Sequence, residues 1–516
     1  MFLIIILIIL TISVVVYYYL ICNYNYWKVR NVPGPKPSLI FGNTKDSTLL
    51  KMTIAERIRE IYQSYHGFPY VGIFELRSPA LILRDPNLIK LVMLKNFDCF
   101  QSRGIVINEE TDPLSANLIN LTGHKWRILR SKLTPAFTSG KLKQMFPLMA
   151  ESSEKFKKFV IKYADSNETV EMRDLAAKFA TDVISTCCFG LETNSIQNSD
   201  SEFRMMCKRI LDPSWIMSFK RSIRWYLPGV FKYFGMSLNP EEVSAYFFNL
   251  VQNMIQYRET NNYIRHDIMQ LLIQLKDDKR INKNESKTEV IDDKDYQEHD
   301  DIVIDDDIIA AQAYVFLLAG FETSSTTMSF TMYELAANPH IQQKVYNEIK
   351  DTINKYGELS YEAMSEMEYL DCVIKETLRK HPPVGVVPRV CNKDYLIPGT
   401  NVKIEKGLKV LIPIHAIHHD AEYYPNSEEY DPSRFLDKNK KFKDSCTYLP
   451  FGAGPRKCIG MKFAYTQTKV GLIALLSDYE VILDSKMTKK LKYDPTANIL
   501  TNKQGILLKI RWRNSK

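Results

Sequence analysis

Cys458 lies in a segment whose composition suits a metal-bound thiolate, residues 451–460 (FGAGPRKCIG). A free cysteine has a pKa of about 8.5, so a metal ligand needs neighbours that favour the deprotonated form. Arg456 and Lys457 supply positive charge, and the apolar run after Cys458 predicts a helix that starts there. The glycines allow backbone N–H groups to approach the sulfur. The segment therefore predicts a cysteine with ligand chemistry.

Two other interpretations of this segment remain at this point. The glycines at 452 and 454 also occur in phosphate loops, but no GK[ST] follows and no apolar strand leads directly in. Taken alone, Cys458 is best explained as a packed core thiol. The chain has nine cysteines with irregular spacing and no CxxC pair, which argues against a disulfide framework and a zinc ribbon.

The spacing of this segment matches a known signature, FxxGxRxCxG, at every fixed position. It resembles the haem loop of cytochromes P-450. The resemblance implies that Cys458 is the axial thiolate ligand of the iron in haem b (iron protoporphyrin IX), with Phe451 covering that side of the ring. It also implies a monooxygenase, because the electron push of a thiolate favours O–O cleavage.

Glu376-Thr377-Leu378-Arg379 is similar to the ExxR element of the same family. A spacing of three residues places Glu376 and Arg379 on one helix face. Taken alone, the pair could be an ordinary surface ion pair. The resemblance implies a buried network joined by Arg434 of Pro432-Ser433-Arg434-Phe435. Its role would be structural.

Residues 319–324 (AGFETS) resemble the family's AGxET oxygen-activation motif. A glycine within a helix costs about 1 kcal/mol relative to alanine, which fits a helix that opens locally to admit dioxygen. The resemblance implies that Thr323 hydrogen-bonds the dioxygen and that Glu322 joins a proton path. The alternative is a tolerated glycine beside a threonine that bonds back to its own helix.

Haem propionates need cationic side chains or hydrogen-bond donors as partners. The WxxxR element and two further arginines supply them by resemblance: Trp126, Arg130, Arg389 and Arg456. Four residues are predicted to line the substrate pocket, with a packing role as the alternative for each: Phe316, Ala319, Val386 and Val387. Three histidines at 415, 418 and 419 lack supporting carboxylates and are interpreted as structural.

The N-terminal residues 2–22 form an uncharged apolar run long enough to cross a bilayer as a helix of about 31 Å. Lys28 and Arg30 follow, so the positive-inside rule places the rest in the cytosol. A cleaved signal peptide is the alternative, but it usually has a positive start and a shorter apolar core. We expect a membrane anchor at 1–27 and a proline-rich hinge at 28–37. The resemblance implies that the membrane is that of the endoplasmic reticulum.

The remaining residues, 38–516, are predicted to form one catalytic domain that is mostly α-helical with a small β region. Apolar residues at helical spacing occupy most of 125–275, and a long helix is expected from Asp305 to Ala337. The strand signals are a hairpin at 71–84 with a turn near Ser78-Pro79, short strands at 382–413 and a strand near 506–512. Residues 276–306 are dense in charge and predict a solvated surface loop.

The chain has a net charge of +8 without a nucleic-acid motif, which argues against nucleic-acid binding. It also has no flavin or nicotinamide fingerprint, so electrons must arrive from a partner. The resemblance implies NADPH–cytochrome reductase, with cytochrome b5 as a further donor. A basic docking face on the thiolate side is predicted from Lys125, Arg127, Lys132, Lys438, Lys440, Lys441, Lys443 and Lys462.

Three segments make the chain similar to microsomal insect cytochromes P-450 of the family-6 type: 112–115, 132–141 and 310–313. Such enzymes oxidise lipophilic molecules, including plant toxins and insecticides; endogenous lipids or hormones are the alternative substrates. Two other functions remain open. A haem-thiolate isomerase or dehydratase would work without reductase, and a haem sensor would need no oxygen-activating residues.

Overall fold

Helices dominate the fold, as the apolar spacing predicts. The structure is a computed structural model that describes residues 2–198, 200–210, 214–277, 304–436, 446–488 and 491–513. The helices are α1 (Phe2–Ile21), α2 (Tyr26–Val29), α3 (Lys45–Thr48), α4 (Ile54–Ser64), α5 (Pro86–Lys90), α6 (Gly123–Leu133), α7 (Ser139–Ser166), α8 (Met172–Ile184), α9 (Glu202–Ile210), α10 (Trp215–Tyr226), α11 (Pro228–Tyr233), α12 (Glu241–Asn261), α13 (Ile268–Asp277), α14 (Asp306–Ala337), α15 (Pro339–Tyr356), α16 (Tyr361–Glu366), α17 (Glu368–Lys380), α18 (Ile414–Ile417) and α19 (Met461–Leu476).

In the described part of the chain the β region is small and forms three sheets, in the strand orders β1-β2-β7-β4, β3-β9-β8 and β5-β6. The strands are β1 (Tyr70–Glu75), β2 (Ser78–Leu83), β3 (Thr169–Glu171), β4 (Val387–Val390), β5 (Tyr395–Leu396), β6 (Lys403–Ile404), β7 (Lys409–Ile412), β8 (Tyr479–Leu483) and β9 (Leu507–Trp512). The mostly helical fold with a small β region is therefore confirmed.

The predicted hairpin forms between β1 and β2, but its turn is not at Ser78-Pro79. Glu75 pairs with Ser78, so the turn is Leu76-Arg77. Leu76 takes a left-handed conformation with φ of 53°, which reverses the chain within two residues. Pro79 remains in the strand, because β7 pairs with β2 only from residue 80 onward and requires no N–H from the proline.

The long helix α14 passes through the helical core. Asp305 caps it by accepting a hydrogen bond from the backbone N–H of Ile308 at 2.9 Å, and the helix runs to Ala337 as predicted. It packs against α8, α12, α17 and α19. Its length and apolar composition would allow it to cross a membrane, but most of it is buried within the protein. Because these neighbouring helices hold α14 in place, they also position the motif residues 319–324 that it carries.

Among the described residues, α1 is also long and apolar enough to span a bilayer, and most of its described side chains are exposed. It ends at Ile21, earlier than the predicted boundary at 27. Trp27 is buried in the core around β1, and its indole N–H donates to the carbonyl of Ile73 at 2.8 Å. Trp27 is therefore part of the folded domain.

The proline-rich segment 28–37, which is predicted to be a hinge, contacts the folded domain at several points. Val32 is buried, and the carbonyl of Pro33 accepts a hydrogen bond from the backbone N–H of Gly72 at 2.8 Å. The side-chain amide of Asn43 donates to the carbonyl of Pro35 at 3.1 Å. These contacts fix the segment against β1. Most of the predicted charged loop 276–306 lies outside the described residues.

Candidate active site

The segment 451–460 forms a tight turn directly before α19. The N–H of Cys458 donates to the carbonyl of Phe451 at 2.9 Å, and that of Lys457 donates to Gly454 at the same distance. Gly454 has a φ of 70°, and a Cβ there would lie 1.9 Å from the carbonyl oxygen of Met93. Only glycine fits, because both the conformation and the space exclude a side chain. The helix itself begins at Met461, three residues after Cys458.

The Cys458 side chain is accessible, unlike most of the cysteines in the core. Burial within the site raises the pKa of its thiol, while a hydrogen bond from the backbone N–H of Gly460 opposes that rise. The positive charges that also lower this pKa come from Arg130, Arg103 and Lys457. Arg456, which we expected to act on the sulfur, instead turns toward α6. The sulfur thus has an amide donor, the neighbouring cation Lys457 and two arginines from distant segments.

Four arginines, the arginine cluster, converge beside this turn: Arg103, Arg130, Arg389 and Arg456. Arg456 and Arg389 are 4% and 2% exposed. Burial, followed by repulsion from the other three arginines, lowers the pKa of Arg456 to about 8. Burial and Arg103 lower that of Arg389 to about 9. Among the described residues, none of the four forms a salt bridge.

The hydrogen bonds of the arginine cluster leave donors unused. Arg456 donates Nη2 to the carbonyl of Leu121 at 2.7 Å, but its Nε and Nη1 have no partner in the described part of the chain. Arg389 donates Nη1 to Pro388, and its Nε is likewise unpartnered. Buried cations are costly without a counter-charge. A group with two carboxylates and a thiolate-binding iron, as in haem, fits this donor set.

Arg103 was missed by the sequence analysis. It follows Gln101-Ser102 in a segment with no motif of its own, and it donates to the carbonyls of Ile119 at 2.8 Å and Arg456 at 3.5 Å. No local pattern identifies it. Only the tertiary structure brings it to the cluster.

Trp126 and Phe451, the two aromatic residues predicted to contact the cofactor, both pack against neighbouring side chains. Trp126 is buried on α6, and the guanidinium of Arg456 lies 4.1 Å from its ring centroid. Phe451 is partly buried, with its ring centroid 5.3 Å from that of Tyr465 on α19. Each ring therefore connects the turn to a helix.

Glu376 and Arg379 form a fully buried bidentate pair on α17. Nε and Nη2 of Arg379 each donate to the carboxylate at 2.7 Å, and both side chains have no exposed surface. Nε of Arg434 lies 3.5 Å from the same carboxylate. The backbone N–H of Asp431 adds a bond of 3.0 Å. The structure thus joins the three predicted residues and attaches α17 to the segment before the Cys458 turn.

The three histidines of the 415–419 segment are buried, and burial lowers the pKa of each. His418 bridges Arg379 to Leu449, with Nδ1 3.2 Å from the carbonyl of Arg379 and Nε2 accepting the N–H of Leu449 at 2.8 Å. No group of three or more metal-ligating side chains occurs among the described residues. This geometry agrees with a structural role.

Helix α14 is uninterrupted at Gly320, contrary to the expected local opening. A Cβ at Gly320 would lie 2.8 Å from Cδ1 of Ile184 on α8, so close helix packing explains the glycine. The hydroxyl of Thr323 donates back to the carbonyl of Ala319 at 2.6 Å. Ala319 is exposed although residues 309–317 of the same helix are buried. This face of α14 therefore borders open space.

Glu322 is buried on the other side of the helix and forms an ion pair with Arg173 of α8. Burial raises the pKa of the Glu322 carboxyl even though Arg173 opposes the rise. The carboxyl can thus hold a proton more readily than an exposed glutamate. Arg173 lies on another helix, so the spacing of residues in the sequence does not indicate that it pairs with Glu322.

The predicted pocket residues separate into two groups. Val386 and neighbouring residues of the segment 383–388 line a cleft of about 390 Å³ between α10, α4 and the loop 495–500. Phe316 is buried against Phe137, with ring centroids 5.1 Å apart, and Val387 is only partly buried. Neither of these two lines that cleft.

The described residues of the predicted docking face have mixed environments. Lys125 lies 3.7 Å from Glu109, and Arg127 lies 3.2 Å from Asp98. Lys462 is exposed and donates to the hydroxyl of Ser139. The lysines at 438, 440, 441 and 443 lie outside the described residues.

Comparison with known proteins gives matches over nearly the whole chain. A model of the cytochrome P450 family matches residues 32–510. Cytochrome P450 6k1 of Blattella germanica is 37% identical over 487 residues, which cover 94% of this chain and 92% of the relative. Cytochrome P450 6a2 of Drosophila melanogaster is 38% identical over 495 residues, 95% of each chain. Cytochrome P450 6B5 of Papilio glaucus is 38% identical over 462 residues, 89% of this chain and 93% of the relative.

Proposed function

Because the chain belongs to the cytochrome P450 family, we propose that it is a haem-thiolate monooxygenase that inserts one oxygen atom from O2 into lipophilic small molecules. The observation that carries this proposal is the accessible Cys458 thiol beside a cluster of arginines without carboxylate partners among the described residues. Haem, when bound, supplies the chemistry of O2 activation, and a thiolate ligand favours O–O cleavage.

The residues of this chain hold and tune that group. Cys458 ligates the iron, and the N–H of Gly460 adjusts the charge on the sulfur. The arginine cluster, together with Trp126, binds the two propionates, which relieves the burial of unpaired cations. Glu376, Arg379 and Arg434 keep the turn in place and do not react.

The acid and the hydroxyl of α14 are proposed to handle protons. Glu322 has a raised pKa and can hold a proton, and Arg173 determines whether the carboxyl is paired or free to turn. Thr323 presents a hydroxyl beside exposed Ala319, one turn away. If the Thr323 hydroxyl released the carbonyl of Ala319, it could donate a hydrogen bond to a group in the open space beside Ala319.

Lipophilic substrates are supported by the apolar part of the cleft, which includes Ile54, Ile105, Val386 and Leu500. Xenobiotics such as plant toxins or insecticides are the proposed class, with endogenous lipids or hormones as the alternative. Electrons are proposed to come from NADPH through NADPH–cytochrome reductase, with cytochrome b5 as a second donor.

Among the described residues, Lys132 and Lys462 are the strongest candidates for reductase docking, because neither forms a salt bridge there. Charge reversal of both (Lys132→Glu, Lys462→Glu) should weaken reductase-supported turnover at low salt, where surface attraction is strongest. Lys51→Glu, on the exposed surface before α4, is the control. Equal turnover and an unchanged salt dependence would contradict this docking face.

We propose that α1 anchors the protein in the endoplasmic reticulum membrane with the catalytic domain in the cytosol. Helices α10 and α11 and the residue after α11 support membrane contact, because they expose large apolar side chains: Trp215, Ile216, Phe219, Val230, Tyr233 and Phe234. Protease protection of microsomes tests the orientation. Digestion of the catalytic domain in sealed vesicles is expected, and protection would reverse it.

The carbon monoxide difference spectrum of the reduced, full-length protein tests the haem-thiolate site. A long-wavelength Soret band is expected if the Cys458 thiolate holds the iron, and Cys458→Ala should abolish it. NADPH consumption with reductase then separates a monooxygenase from an isomerase or sensor. Well-folded protein with only the short-wavelength band of a neutral ligand would reject the proposal.

A further inference from the structure

One buried side chain joins α19, the helix that follows Cys458, to the motif segment 319–324 of α14. Gln467 lies on α19 and has no exposed surface. Its side-chain amide donates Nε2 to the backbone carbonyl of Gly320 at 3.3 Å. The two parts of the proposed site are therefore connected through a single carboxamide.

Close packing of α19 against α14 holds this carboxamide in place. Gly471 lies one turn after Gln467, and a Cβ there would lie 2.5 Å from Cε of Met328 on α14. Met328 in turn lies one turn after Ser324. The two helices thus approach each other without a side chain on Gly471, which keeps Gln467 beside the turn that runs from Gly320 to Ser324.

The Gly320 carbonyl has two donors, while neighbouring polar atoms have no partner. In a continuous α-helix the backbone N–H of Ser324 donates to this carbonyl, and Nε2 of Gln467 is the second donor. Oε1 of Gln467 and Oγ of Ser324 are both buried and lack a hydrogen-bond partner in the described part of the chain. Burial of such groups without a partner costs free energy. The closed helix therefore leaves half of the carboxamide unused.

Other carbonyls of the same segment also accept side-chain donors. The hydroxyl of Thr323 donates to the carbonyl of Ala319 at 2.6 Å, and that of Thr327 donates to the carbonyl of Thr323 at 2.8 Å. Such bonds compete with the helical N–H groups for the same acceptors and favour bending. These hydroxyls belong to α14 itself, whereas Gln467 reaches the segment from another helix.

We infer that Gln467 is a positioning residue that allows α14 to exchange one helical hydrogen bond at Gly320. When the N–H of Ser324 leaves the Gly320 carbonyl, Nε2 of Gln467 keeps that carbonyl paired and Oε1 accepts the released N–H. A side chain inserted in this way opens a helix locally. Packing against α8 explains why residue 320 is glycine, whereas the exchange involves its carbonyl. The inference rests on the proposed function, because the turn borders the open space in which Thr323 is proposed to act.

Hydrogen–deuterium exchange of the haem-loaded, full-length protein tests this inference, with the Ser324 amide resolved by fragmentation mass spectrometry. Gln467→Met retains a long side chain and removes both polar atoms, so the open form becomes rarer. The Ser324 amide should then exchange about tenfold more slowly relative to that of Phe330, the factor expected for one net hydrogen bond. A tie that only holds the closed helix gives the opposite sign, because its loss would speed the exchange. Gln343→Met, on the exposed face of α15, is the control and should leave the ratio unchanged.

Gln467→Leu serves as a second variant if Gln467→Met does not fold, and the same slowing is expected. Faster exchange at Ser324 in either folded variant would overturn the inference in favour of a packing contact. An unchanged ratio to Phe330 would also overturn it, and would favour a buried water that already pairs with the two unused atoms. The carbon monoxide spectrum of each sample is recorded in parallel. Absence of the thiolate-type band in wild type would reject the haem-thiolate function, whereas its presence with faster or unchanged exchange rejects only the role of Gln467.

Discussion

The backbone N–H of Leu449 donates to Nε2 of His418 at 2.8 Å, two residues before the turn that carries Cys458. Nδ1 of the same ring lies 3.2 Å from the carbonyl of Arg379, and Nη1 of Arg379 donates to the carbonyl of His418 at 2.8 Å. Burial lowers the pKa of His418 to about 3, so the ring is neutral, with Nδ1 as donor and Nε2 as acceptor. One imidazole thus connects the buried Glu376–Arg379 pair to the cysteine turn.

We expect His418→Ala to lower the free energy of unfolding by about 1–3 kcal/mol, because it leaves the buried N–H of Leu449 without an acceptor. Haem retention should fall with it, measured as the thiolate-type carbon monoxide band per mole of protein. His66→Ala, at a side chain that is 73% exposed, is the control. Normal stability and haem content in His418→Ala would show that the bridge is dispensable.

Glu376→Gln should be much more damaging than its surface counterpart. It leaves Arg379 buried with no countercharge, which costs about 3–5 kcal/mol. Glu60→Gln removes one member of the exposed pair with Arg57 and should cost less than about 1 kcal/mol. Urea denaturation of both variants gives the comparison. Similar losses in the two would mean that Arg379 finds solvent or another partner.

Gly320→Ala should destabilise the protein although alanine is the better helix former. The gain in helix propensity is about 1 kcal/mol, but overpacking against Ile184 costs about 1–3 kcal/mol. Ile184→Val removes the nearest atom, so the double variant should be more stable than the sum of the single changes predicts. If the glycine instead serves to open α14, Gly320→Ala would retain stability and lose coupling of NADPH consumption to product.

The buried histidines should make the protein sensitive to mild acid. Their pKa values are lowered, so the unfolded state binds more protons below about pH 6.5 and unfolding becomes easier as pH falls. Each contributes up to about 1.4 kcal/mol per pH unit until its folded pKa is reached. His415→Phe removes one such group and should reduce the slope of unfolding free energy against pH between 6.5 and 5.

Exposed His66 supplies the control for this slope, and His66→Phe should leave it as in wild type. Wild-type stability that is flat from pH 7 to 5 would contradict the prediction, since it would require the histidines to find acceptors or water in the folded state.

The sequence identified those features whose physical cause is local. Hydrophobic periodicity and an acidic cap predicted α14 from Asp305 to Ala337, and an uncharged apolar run predicted the helix at α1. Glycine, proline and basic residues at fixed spacing identified the Cys458 turn, because that turn needs positive φ and close approach at Gly454. These requirements act within a few residues, so spacing reveals them.

Other features depend on segments far apart in the chain, so the spacing of residues in the sequence does not reveal them. Arg103 joins the arginine cluster, and Arg173 pairs with Glu322 from another helix. Gly320 is explained by Ile184, and the proline-rich segment accepts a hydrogen bond from β1 at Pro33. Residue types and local spacing were sufficient to indicate the family, the fold class and the thiolate turn. Which counter-charges and packing partners come together depends on which distant side chains share the low-dielectric interior. Their charges and volumes must balance one another there, and the spacing of residues in the sequence does not connect these segments.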